Sequence, residues 1–178
     1  YMIEENLSPE ERWQRNEKKR LEYENYCNKI IQGLEGLDEN SGERALWELI
    51  QNARDQRLNE DADVIIKIEL TETELIFSHH GKAFDYTSFR ALVKQDSSKD
   101  RNGAKQVGKY GTGFMTTHAF NRLVHITAPY IVKRGKDDIS GYFQIVDFHL
   151  DRTMVDTDEG PSKMEEQLDL VEDFCNQK

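Results

Sequence analysis

The chain of 178 residues suffices for one domain with a real core and falls short of two comfortable ones. Only 37% of the residues are hydrophobic and mean hydropathy is −0.81, so the core must be compact; no stretch approaches the ~20 apolar residues of a membrane helix. Acidic residues number 34 against 24 basic ones, for a formal charge of −10, which argues against nonspecific DNA or RNA binding but not against one small nucleotide held by local donors.

In chain order, the opening YMIEENLSPEERW lacks an apolar signal core, and the expectation is a soluble, cytoplasmic protein with no membrane partner. Residues 9–34 predict a helix: Ser8 suits the cap, Pro9 the first turn, and Glu10 and Glu11 the positive dipole end. It is charged on most faces, with Trp13, Leu21, Tyr23 and Tyr26 as sparse apolar points, as suits a partly solvated capping helix. Gly33, Gly36 and DENSG (38–42) interrupt the pattern. A second helix follows from about Ser41 to Arg57, capped by Asn40 or Ser41.

Segments 63–70 and 74–80 alternate as the strands of a half-buried hairpin, and 86–93 reads as a short helix. Residues 94–110 are polar and glycine-containing without periodicity, a length that marks a functional or mobile loop. A helix over 112–120 precedes strands at 122–132 and 141–150, and an amphipathic helix covers 162–176. The expected organisation is a capping helix (1–40), a core (41–160) and a closing helix or connection to a downstream domain (161–178). Cys27 and Cys175 lie far apart, without metal-ligand spacing, and read as reduced thiols.

Three segments carry chemistry. In ALWELIQNARDQ (45–56), Leu46, Leu49, Ile50 and Ala53 form one stripe at ~100° per residue, while Glu48, Asn52 and Asp55 form another. A carboxylate can polarise a water, and an amide oxygen is a hard ligand suited to magnesium. In FSHHGKAF (77–84) a strand ends in a tight turn, where Gly81 permits close backbone approach or positive φ. His79 and His80 are adjacent, so they point to opposite faces of a strand and do not make a metal pair. In GKYGTGF (108–114) three glycines precede a helix start, leaving N–H groups uncovered for an anion. The spacing is not that of a P-loop, since Tyr110 follows Lys109, and no strand leads in as in a dinucleotide fold.

The order of these segments resembles the GHKL superfamily of gyrase, the ninety-kilodalton heat-shock chaperone, histidine kinases and mismatch-repair MutL proteins. The resemblance spans about residues 41–150. It is closest to the chaperone-like, sacsin-type ATP-binding domain of large bacterial proteins, on ELIQNARD, FSHHGKAF and GKYGTGF, with FHLDRT (148–153) in support.

That resemblance implies an α+β fold, a two-layer sandwich of a mixed, mostly antiparallel sheet with helices on one face. It implies ATP or ADP and magnesium as cofactors. Glu48 would activate the attacking water and Asn52 would hold the magnesium. Asp55, His79, Gly81 and Phe84 would face the nucleoside, Gly108, Gly111 and Gly113 would let the backbone wrap the phosphates, and Lys109 and Phe114 would join the cofactor-binding set, with 94–110 as a lid. Two departures stand out. The family's aspartate and second glycine in the middle motif are His79 and Ala83 here, so adenine reading would rest on a neutral imidazole and weaken once it is protonated. The family's closing strand with its late threonine motif is not legible; either the chain is truncated there or 162–176 replaces it.

The expected function is a slow Mg-ATPase module of a larger chaperone-like or ATP-switched protein, partnered by downstream domains and by an ATP-dependent homodimer contact. The alternatives are a nucleotide-degenerate interaction module and a histidine-kinase-type phosphotransfer domain.

Overall fold

The computed structural model describes residues 7–95, 112–133 and 138–176. Helix α1 (Pro9–Glu35) opens with a capping box in which the Ser8 hydroxyl accepts from the Glu11 N–H and the Glu11 carboxylate accepts from the Ser8 N–H. Its buried positions Tyr23, Tyr26, Cys27 and Ile30 recur at helical spacing, whereas Trp13 and Leu21 stay exposed. Helix α2 (Ser41–Asp55) begins after a knot in which the Ser41 hydroxyl donates to Asp38 and accepts from the Asp38 N–H and from Arg44. Asn40 holds the cap position, yet its side chain makes no capping bond.

Strands β1 (Ile66–Leu70) and β2 (Leu75–His79) pair antiparallel, with Ile66 opposite His79 and Leu70 opposite Leu75. Helix α3 (Tyr86–Lys94) starts at a second capping box, between Asp85 and Ser88. Helix α4 (Thr112–Met115) is one turn long and continues as a 3-10 turn over Thr116–Ala119. Strands β3 (Leu123–Lys133) and β4 (Ile139–Asp151) form a long antiparallel hairpin, and α5 (Gly160–Asn176) closes the described chain. The molecule is thus of mixed helix and strand, and its described strands form two separate two-stranded sheets. The segment after β2 runs beside β3: the Phe84 N–H donates to the Pro129 carbonyl at 2.9 Å, and Phe84 accepts from the Ile131 N–H at 2.7 Å.

The core lies between the inner face of β3–β4 and helices α1, α3 and α5. Phe89 is its hub, meeting the rings of Phe84, Phe148 and Phe174 at centroid distances of 5.1, 4.9 and 5.9 Å in edge-on arrangements. Lys94 is buried at the α3 end and reaches back to α1, with its Nζ 2.5 Å from the Tyr26 hydroxyl and 4.3 Å from that ring's centroid. Among the described residues no helix is long and apolar enough to cross a membrane.

Candidate functional site

Helix α2 organises the candidate site because it is gripped at two points by the segments that sequence reasoning singled out. It packs on α4 and on the following 3-10 turn. There Gly113 lies against Glu48: a Cβ built on Gly113 would stand 2.2 Å from Glu48 Oε2 and 2.8 Å from its Cδ. Only glycine leaves that space for the carboxylate. One turn along the helix, Asn52 is half-buried, and its Nδ2 is shielded from solvent with no hydrogen-bond partner among the described residues. An orphaned buried amide is costly, so its end of the site favours a polar ligand. Turning the amide about its last bond presents the oxygen in place of the nitrogen, so the group can offer either a donor or a cation ligand.

At the C-terminal end of α2 the second segment arrives. The Lys82 N–H donates to the Gln56 carbonyl at 2.7 Å, and a Cβ on Gly81 would stand 2.9 Å from that same oxygen. Of the two uses expected for Gly81, the structure employs close backbone approach: its φ is not in the left-handed range. The His79 ring folds over Gly81, with Nδ1 3.2 Å from the position of an added Cβ and 3.2 Å from the His80 carbonyl. A carbonyl only accepts, so Nδ1 carries the proton and Nε2 is left as the acceptor.

Glu48, Asn52, Gly81, His79 and Gly113 are therefore strung along one helix, with Asp55 exposed near its end. Phe84 and Phe114 are half-buried and pack against the core, Phe84 edge-on to Phe89. Gly108, Lys109 and Gly111, and nearly all of the expected 94–110 lid, lie outside the described residues. The helix expected over 112–120 is a single α turn followed by a 3-10 turn, so it brings only a small dipole to an anion. Two shallow, open surface grooves lie elsewhere, one along α1 between Trp13 and Asn25 and one between β4 and α5.

Sequence reasoning missed two buried polar groups. His118, on the 3-10 turn, donates from Nδ1 to the Asn121 carbonyl at 3.2 Å, and burial followed by the Arg152 charge lowers its pKa to about 4. Arg152, the arginine of FHLDRT, is 1% exposed; one guanidinium N–H group meets the Val93 carbonyl, while Nε and Nη1 have no partner among the described residues. No sequence signal marks either as interior, because histidine and arginine are surface residues by default.

Comparison with protein-family models, curated proteins and solved structures finds no significant match.

Proposed function

We propose that this chain is a magnesium–nucleotide-binding module of the kind its GHKL-like segments imply, with slow ATP hydrolysis as its activity. The observation that carries the reading is the convergence on α2: Glu48 sits in a notch that only Gly113 provides, and the unpartnered Asn52 amide lies one turn away. Three segments picked out separately by residue type thus meet on one helix. The donor set also fits the ion, since an amide oxygen and a neighbouring carboxylate are hard oxygen groups.

Magnesium, when bound through the Asn52 oxygen, would neutralise phosphate charge. The protein's own part is to position and to exclude. The Glu48 carboxylate orients a water for in-line attack and accepts its proton. Gly113 keeps the chain close enough for main-chain N–H groups to face a phosphate. At the other end His79 Nε2 is free to accept from a base amino group, where a carboxylate would accept more strongly.

Calorimetric titration of the chain with ADP and ATP, with and without magnesium, tests this reading. Wild type should bind with a dissociation constant on the order of micromolar, about −8 kcal/mol, only when magnesium is present, and Asn52→Ala should abolish it. Binding that is absent in wild type, or equal in the variant, sinks the proposal.

A second reading, an interaction module that does not use nucleotide, is favoured by the exposed apolar residues of the β1–β2 hairpin, Ile68, Leu70 and Ile76. A melting temperature indifferent to millimolar nucleotide would select it, because any ligand bound only by the folded state raises stability.

A further inference from the structure

The outer face of the β3–β4 sheet carries a cluster that belongs to none of the three segments discussed so far. Strand register sets His125 directly opposite His149, and their ring centroids are 4.4 Å apart. The register then shifts between Ile126 and Ala128, so that Thr127 faces both Val146 and Asp147 in a β-bulge. Asp147 takes a left-handed backbone (φ 53°), and its N–H donates to the Thr127 hydroxyl at 3.1 Å. The bend sends its carboxylate between the two imidazoles. Oδ1 lies 2.6 Å from His125 Nδ1, and Oδ2 lies 3.2 Å from His149 Nε2.

We propose that His125, Asp147 and His149 form a binding site for a divalent transition-metal ion, zinc in the first instance. One ligand atom from each residue lies within 4.8 Å of the other two, and all three side chains are exposed. Two imidazole nitrogens and one carboxylate oxygen make a borderline donor set that suits zinc and leaves a fourth position open. Magnesium prefers oxygen alone, so this site and the one at Asn52 select different ions. With metal–ligand bonds of about 2.0–2.2 Å, tetrahedral ligand atoms stand roughly 3.3 Å apart, so small rotations of exposed side chains admit an ion.

Asp147 and His149 also help line a shallow, open groove along β4 and α5, together with Phe143, Leu170 and Phe174. The ion would sit at the rim of that groove, where its open position can take water or a ligand atom from a molecule lying in it.

The test uses the full chain without a histidine tag, stripped with chelator and titrated with zinc chloride by calorimetry, with cobalt(II) absorption as a check on coordination number. The expected result is one ion per chain with a dissociation constant on the order of 1–10 µM, weakened more than about tenfold in His125→Ala, His149→Ala and Asp147→Asn. Asparagine tolerates the left-handed backbone, so Asp147→Asn keeps the bulge while removing the charged ligand. All three variants should melt like wild type in chelator, and Asn52→Ala should bind zinc normally. No binding at about 100 µM zinc, or binding unchanged in the His125→Ala/His149→Ala double variant, overturns the proposal.

Discussion

His118 is held neutral by its surroundings: burial acts first, the Arg152 charge second, and together they lower its pKa from the ordinary 6.5 to about 4. The sign of the consequence follows. An unfolded chain takes up a proton at this residue below about pH 6.5, whereas the folded chain resists until about pH 4, so acid favours unfolding across that window. The stabilisation is complete above pH 6.5 and is lost as the pH falls toward 4. Between pH 7 and pH 5 the loss should be about 2 kcal/mol. His118→Asn keeps a donor for the Asn121 carbonyl and cannot protonate, so urea melts at the two pH values should differ less for the variant than for wild type. An equal fall in both would show that His118 protonates freely in the fold. Nothing in the local sequence THAF distinguishes this histidine from a surface one; its burial comes from the packing of the 3-10 turn on α2 and β3.

Elements were more legible than residues. The helices α1 and α3 start where Ser8 and Asp85 offer side-chain acceptors, because capping chemistry is local and needs no tertiary context, whereas the side-chain cap expected for α2 at Asn40 or Ser41 does not form at Asn40. Strand ends were less so: the segment expected at 63–70 pairs only from Ile66, and β4 begins at Ile139, two residues before the expected start at Gly141. Pairing depends on the partner strand, which no single segment reveals. For the same reason the His125–Asp147–His149 cluster stayed hidden, since only register and a bulge bring His125 to the other two. The junction of α2 with the β2 turn is the element-scale feature most open to attack. Gly81→Ala would press a methyl group to 2.9 Å from the Gln56 carbonyl, which is backbone and cannot swing aside, and should destabilise by about 1–3 kcal/mol in urea denaturation. Gly141→Ala, with nothing within 4 Å of its added Cβ, serves as the control and should cost less than about 0.5 kcal/mol. Equal effects would mean that the α2–β2 junction yields without strain.

Across the whole molecule the apolar pattern foretold a mixed α and β chain with a partly solvated first helix, but not how unevenly packing is shared. Phe89, Tyr130, Phe148, Leu150 and Val171 are nearly inaccessible, while Ile68 and Leu70 on the β1–β2 hairpin are 46% and 80% exposed. The alternation in 63–80 looks the same in either situation, which is why a half-buried hairpin was expected there. The hairpin packs chiefly on itself and is tied down by the Gln56–Lys82 hydrogen bond behind it. Hydrogen–deuterium exchange should therefore find the amides of 66–79 opening at least about tenfold more readily than those of β3 and β4, a contrast of about 1.4 kcal/mol or more; uniform protection would show the hairpin to be part of the cooperative core. The proposed nucleotide site straddles this divide, with Glu48 and Gly113 joined through α2 and α4 to the core and His79 and Gly81 on the loosely held side. A single local opening can then dissolve the site while the core remains folded, and recognition would fail in mild denaturant well before the main unfolding transition begins.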